Sequence, residues 1–196
     1  MKSVVHLSLH KNNLSGRISK ALGDLTELKI LYLNSNQLSS PIPSEFGNLR
    51  NLTELDLSEC QLTGSIPTTL EIGKIKSLKD LSLQGNNLSG SIPTTLGDLT
   101  ELIILYLYAN QLSGSIPSEL GNLKSLTELD LFENQLTGSI PIILGDLSEL
   151  KGLYLFLNQF SSPIPAEIGK MKSLEDLPLQ SNGLSGSIPI NSRKLK

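Results

Sequence analysis

Tryptophan is absent from this 196-residue chain and aromatic residues make up only 4% of it, so any core must be aliphatic. Cys60 is the only cysteine, which excludes an intrachain disulfide and a CxxC metal site. No apolar run approaches the ~18 residues that a membrane-spanning helix needs. The opening MKSVVHLSLH sets Lys2 before apolar residues, but His6 and His10 interrupt them and the stretch already fits the repeat described below. It is therefore read as structure and not as an export signal. Charge of one sign is also lacking: 16 bases face 19 acids, a net −3. That balance gives no basic stripe and no expectation of nucleic-acid binding.

What is present is repetition. Residues 25–48 read LTELKILYLNSNQLSSPIPSEFGN, residues 99–122 LTELIILYLYANQLSGSIPSELGN and residues 123–146 LKSLTELDLFENQLTGSIPIILGD. All fit LxxLxxLxLxxNxLxGxIPxxLGN, with units starting at Met1, Leu25, Leu49, Ile75, Leu99, Leu123, Leu147 and Met171. Each unit has 24 residues except 49–74, which has two extra, placed at Glu71–Lys74, and the last, which ends at Lys196. Leucines at positions 7 and 9 alternate with variable residues, the mark of a short strand with one buried face. Strands of successive turns are expected to stack in parallel about 4.8 Å apart. Position 12 carries Asn12, Asn36, Asn86, Asn110, Asn134, Asn158 and Asn182, with Cys60 in one turn. A side-chain amide there can satisfy backbone groups that a turn leaves unpaired. Pro67, Pro93, Pro117, Pro141 and Pro165 recur at one phase, which excludes a long helix there. One turn cannot bury its own leucines; stacking buries them together. Residues 1–196 are thus read as one repeat domain.

The LSGSIPxxLGN phrase resembles the plant-specific class of leucine-rich repeat, most of all the ectodomains of plant receptor-like kinases, including those that sense peptides. Polygalacturonase-inhibiting proteins use the same repeat. The resemblance implies an α/β repeat solenoid: a right-handed superhelix of eight turns with a parallel concave β-sheet and a convex side of short 3-10 and loop segments. It also implies a peptide or protein ligand on the concave face, a co-receptor, and an extracellular or cell-surface location. Three departures stand out. Ser19 replaces proline in the first turn, Ser40 and Ser162 replace glycine in two SSPIP turns, and the paired-cysteine caps typical of such ectodomains are missing. An enzyme inhibitor of the polygalacturonase-inhibitor type, and a truncated or engineered scaffold without ligand, are the alternatives.

The variable strand positions indicate what the concave face offers. Position 8 includes Tyr32, Asp56, Tyr106, Asp130 and Tyr154, and position 10 includes Tyr108, Phe132 and Phe156. All four tyrosines and two of the four phenylalanines therefore fall in two columns. Tyr106, Tyr108, Phe132, Tyr154 and Phe156 come from consecutive turns and are predicted to form one patch, although strand propensity alone also draws aromatics to such positions. Positions 6 to 11 hold eight of the 19 acids (Glu54, Asp56, Glu59, Asp80, Glu128, Asp130, Glu133 and Asp176) and one of the 16 bases, Lys11. That band carries −7 and the rest of the chain +4. A ligand of basic, partly apolar character is the expectation, held by buried aromatic area, cation–π contact and steering. The expected ligand-binding residues are Tyr32, Asp56, Asp80, Tyr106, Tyr108, Glu128, Asp130, Phe132, Glu133, Tyr154 and Phe156.

Catalysis is not expected. Glu54 and Asp80 share a column at roughly 5 Å, but an open, wetted sheet does not separate two carboxylate pKa values. His6 and His10 lie about 13 Å apart along a strand, too far to share a metal. No nucleophile triad, phosphate-cradling loop or helical zinc motif occurs, and no cofactor or metal is expected. Asn13, Asn51 and Asn87 begin N-x-S/T sequons and are the glycosylation candidates.

Overall fold

A computed structural model of the chain describes residues 3–67 and 75–189; the insertion read at Glu71–Lys74 and the first and last residues of the repeat array lie outside them. In chain order the strands are β1 (His6–Ser8), β2 (Ser15–Gly16), β3 (Ile30–Tyr32), β4 (Gln37–Leu38), β5 (Glu54–Asp56), β6 (Thr63–Gly64), β7 (Asp80–Ser82), β8 (Asn87–Ser91), β9 (Ile104–Tyr106), β10 (Gln111–Gly114), β11 (Glu128–Asp130), β12 (Gln135–Gly138), β13 (Gly152–Tyr154), β14 (Gln159–Pro163) and β15 (Gly183–Ser185). The first seven turns each supply one strand to each side of a leucine core, with β2 and β4 paired to each other apart from the larger sheets. The first sheet runs β1-β3-β5-β7-β9-β11-β13, parallel throughout, and a second runs β15-β14-β12-β10-β8-β6. The architecture is a leucine-rich-repeat solenoid.

Leucines at repeat positions 4, 7 and 9 point inward; Leu126, Leu129 and Leu131 are each fully buried. Burying one such side chain is worth about 1.5–3 kcal/mol, and here each packs on its equivalents in neighbouring turns. The eighth turn gives β15 to the second sheet but adds no full strand to the first, only an isolated bridge between Gly152 and Asp176. Pro178 occupies position 8 there and has no N–H to give to the ladder.

The position-12 asparagines hold the turns together. Asn134 Nδ2 donates to the Leu131 and Phe132 carbonyls of its own turn and to Leu107 of the preceding turn, and its Oδ1 accepts the Leu112 N–H at 3.0 Å. Asn36, Asn86, Asn110, Asn158 and Asn182 repeat the pattern. Cys60 Sγ donates to the Leu33 carbonyl at 3.6 Å, and burial pushes its thiol pKa up against backbone hydrogen bonds at Asn36 and Leu38.

Position 11 takes a conformation that the sequence does not announce. Lys11, Ser35, Glu59, Ala109, Glu133, Leu157 and Ser181 all have positive φ, between 51° and 58°, and Gly85 joins them at 66°. The left-handed residue turns the chain off the concave strand and into the Asn position.

On the convex side 3-10 helices follow the prolines: Ser44–Asn48, Thr94–Asp98, Ser118–Asn122 and Ile142–Asp146 have Pro43, Pro93, Pro117 and Pro141 at the N-cap. Ser19, in the proline's place, caps Lys20–Asp24 by accepting the Ala21 N–H at 3.3 Å. The helix glycine lets successive turns approach: a Cβ on Gly97 would lie 2.3 Å from the Glu119 carbonyl oxygen.

Candidate ligand-binding face

Alternation in the first sheet sends positions 6 and 8 outward while Leu55, Leu81, Leu105, Leu129 and Leu153 face the core. Register then fixes one outward column: Tyr32 beside Asp56, Ser82, Tyr106, Asp130 and Tyr154 in turn. A second column, just past the strands, carries the remaining aromatics. Tyr108 stacks on Phe132 with centroids 4.4 Å apart and planes 13° from parallel, and Phe132 stacks on Phe156 at 4.3 Å and 11°. Tyr106 meets Tyr108 edge-on at 6.1 Å, which joins the columns. The expected patch of Tyr106, Tyr108, Phe132, Tyr154 and Phe156 is therefore brought together, with Asp130 in register between Tyr106 and Tyr154.

Tyr32 stands apart. Two strands, β5 and β7, lie between it and Tyr106, roughly 14 Å over three strand spacings, and its ring neighbour is His10 at 6.4 Å. Both histidines are exposed.

The acids fall into distinct settings. Tyr32 donates to Glu54, and Tyr106 donates to Glu128, each across to the next turn; Tyr154 reaches Asp176 the same way at 3.3 Å. Bonding to Glu54, then burial, pushes the Tyr32 hydroxyl up to about 12, and burial followed by Glu128 raises that of Tyr106 further. Burial raises the Tyr108 and Tyr154 hydroxyls too. Asp56 accepts the Ser58 N–H at 2.9 Å and its hydroxyl at 2.6 Å, and Asp80 accepts the Ser82 hydroxyl at 3.0 Å. Burial raises the Asp80 pKa against that bond. Glu54 and Asp80 are register partners, as their shared column predicts. Glu133 is exposed at a left-handed position, at the rim and not on the strand face.

Asp130 is different. Only 9% of it is exposed, and its Oδ1 is covered without a hydrogen-bond partner. Burial pushes this carboxyl up to about 7, with the Phe132 N–H opposing and Glu128 adding to the rise. The cross-turn tyrosine–carboxylate bonds and this orphaned oxygen were beyond sequence reasoning. A column fixes which residues are neighbours, not which way a side chain leans.

Among the described residues no group of three or more His, Cys, Asp or Glu side chains is placed to hold a metal ion, and no helix is long and apolar enough to cross a membrane. The sequon asparagines are all exposed and off this face: Asn13 and Asn87 share position 13, Asn87 at the start of β8, and Asn51 donates to the Thr26 carbonyl at 3.1 Å.

Profiles of the family described as Leucine rich repeat match residues 2–62 and 76–136, and one described as Leucine Rich repeats (2 copies) matches residues 50–99. The chain belongs to the leucine-rich-repeat family. Among solved structures, this leucine-rich-repeat chain is similar to the plant peptide hormone receptor RGFR1 in complex with RGF2, at 42% identity over 94% of this chain and 29% of that one, TM-score 0.92. It is equally similar to the Arabidopsis receptor kinase HAESA in complex with the peptide hormone IDA and the co-receptor SERK1: 42% identity, 94% and 31% coverage, TM-score 0.90. A plant ice-binding protein matches at 30% identity, 94% and 66% coverage, TM-score 0.72. The chain thus spans less than a third of the two receptors. A comparison with curated protein sequences finds no match.

Proposed function

We propose that this chain is a non-catalytic recognition module of plant receptor-like kinase type, which binds a peptide or protein of basic, partly apolar character along its concave face outside the cell. The observation that carries the reading is the aromatic ladder Tyr108–Phe132–Phe156, joined to Tyr106 and lying beside Asp130, Glu128 and Tyr154 on one rigid sheet. The scaffold does not require it, because leucines fill the core. A preformed surface lowers the ordering cost of binding, and stacked rings are a common anchor for a partner. The relatives bind peptide hormones, and one is solved with a co-receptor; a co-receptor is proposed here by that likeness. Random-peptide display on the whole chain tests the reading. Selected peptides that no longer bind after Tyr108→Ala with Phe132→Ala support it. Peptides bound equally by the double variant place recognition elsewhere.

A second reading has its own observation. The outward hydroxyls Thr63, Ser89, Ser113, Thr137, Ser161 and Ser185 occur one per turn on the second sheet, with no charge among them or among their register partners Asn87, Gln111, Gln135, Gln159 and Gly183. Such an uncharged surface of hydroxyls and amides suits an ordered water lattice, and one relative binds ice. Ice-recrystallisation measurements decide it: no slowing of crystal growth by the wild-type chain, or slowing that survives Ser113→Lys with Thr137→Lys, removes this reading.

A further inference from the structure

The segment LTELDL occurs twice, at 52–57 and 126–131, and sets Asp56 and Asp130 at the same place on the concave face. The two aspartates nonetheless differ. Asp56 takes two bonds from Ser58. Phe132 stands where Ser58 stands; its N–H serves the Asp130 carboxyl but it offers no hydroxyl, and Oδ1 is left without a donor under cover. The neighbouring hydroxyls are committed elsewhere, Tyr106 to Glu128 and Tyr154 to Asp176.

A buried carboxylate oxygen without a partner is costly. The scaffold does not demand it, since Ser82 fills the same register position two strands away. A residue that burdens the fold and serves no packing role marks a site of function. The missing partner is a donor, and the cover is aromatic. Among the described residues the only base at positions 6 to 11 of any turn is Lys11, at the far end of the sheet. No described base of this band lies beside Asp130, so a ligand is the natural source of the counter-charge. A metal ion would need further oxygen ligands, and no such cluster stands there among the described residues. An organic cation is well matched, because ring faces attract it while the carboxylate takes its N–H groups.

We infer that Asp130 is the seat for one guanidinium or ammonium group of the ligand, which enters between Tyr106 and Tyr154 and lies against the Phe132 ring. The inference rests on the reading of the concave face as a peptide site and names the residue type that site selects. Tyr154 is the more weakly tied wall: its hydroxyl meets Asp176 at 3.3 Å, a longer bond than that of Tyr106 to Glu128. The ladder beyond, Phe132 to Phe156, takes an apolar neighbour of the basic residue.

The titratable groups that interact with Asp130 are Glu128 on β11, Tyr106 and Tyr108 with β9, and Tyr154 on β13. Of these Glu128 is the one that adds to the rise of the Asp130 pKa, and burial, the larger cause, brings it to about 7. Cation binding therefore weakens by about tenfold per pH unit below that value, as the carboxylate takes up its proton.

The test uses two small probes, Nα-acetyl-arginine methylamide and its neutral isostere Nα-acetyl-citrulline methylamide, titrated into the whole chain by NMR with the tyrosine and phenylalanine ring signals as readout. The arginine probe is expected to bind at least tenfold tighter. Asp130→Asn should erase that preference and the pH dependence, while Glu101→Gln, an equal charge change off this face, keeps both. Equal binding of the two probes, or a preference that survives Asp130→Asn, overturns the inference. Peptide display separates it from the parent reading. Selected peptides that need Tyr108 and Phe132 but lack Arg and Lys overturn the seat and leave the peptide site standing. Arginine-probe binding at Asp130 with no peptides selected supports the seat and removes the peptide site.

Discussion

Tyr108 and Phe132 lie face to face, 4.4 Å between ring centroids, although 24 residues separate them in the chain. The stack exists because one turn of the solenoid restores the same outward direction. Such a pair contributes about 0.5–1.5 kcal/mol beyond buried area, and an anchor of this kind in an interface contributes 2 kcal/mol or more. Tyr108→Ala with Phe132→Ala should therefore weaken a selected peptide by at least about thirtyfold in calorimetry. The melting temperature should change little by comparison, since neither ring belongs to the leucine core.

The same substitution should have opposite signs at two equivalent positions. Ser162 holds the left-handed φ of the glycines it replaces, 76°, and is exposed. Ser162→Gly should stabilise by about 1 kcal/mol, about 2–4 °C in melting temperature for a chain of this size. Ser40 is buried, is not among the positive-φ residues, and accepts the Ile18 N–H at 3.3 Å. Ser40→Gly loses that acceptor and should destabilise by about 1 kcal/mol. Thermal melts of the two variants check both.

Cys60→Asn should repair the one interruption in the Asn series. An amide there can donate to the Leu33, Leu57 and Ser58 carbonyls and accept the Leu38 N–H, by the pattern of Asn86 in the next turn. Net gains near 1 kcal/mol per hydrogen bond, less the cost of ordering the amide, give about 1–2 kcal/mol. Denaturant midpoints at unchanged slope would verify the increase; a lower midpoint would mean that the Cys60 cavity has reshaped around sulfur.

Asp130 should make stability depend on pH. Its carboxyl holds the proton to about 7 when folded but only to about 4 when unfolded. The folded state thus binds more protons across that window, and stability falls as pH rises through it. Asp130→Asn lacks this cost. It should match wild type below about pH 4 and exceed it by about 1–3 kcal/mol above pH 7, measured as unfolding free energy across the range. A constant difference at all pH values would mean that Asp130 does not titrate in this window.

The repeat itself was plain in the sequence. Leu129 and Leu131 are buried where their positions predict, and Tyr106, Asp130 and Tyr154 share a column because the period is fixed. Three things were not legible. The left-handed residue at position 11 was hidden because Leu157, Ala109 and Glu133 occupy it as well as Gly85, and residue type gives no hint of φ there. The cross-turn bonds of Tyr32, Tyr106 and Tyr154 depend on rotamers, which spacing does not encode. The loss of a full eighth strand in the first sheet follows from Pro178, whose missing N–H matters only once the ladder direction is known.

The convex-side glycines have a consequence for the opposite wall. Gly97, Gly121 and Gly145 let each rear segment nest against the next, where any side chain would strike backbone or a neighbouring residue within 2.5 Å. Thickening the rear would spread those segments and bend the arc more sharply around its hollow. The gap between Tyr106 and Tyr154, and so the length of ligand that one face can measure, is tuned by atoms that no ligand touches.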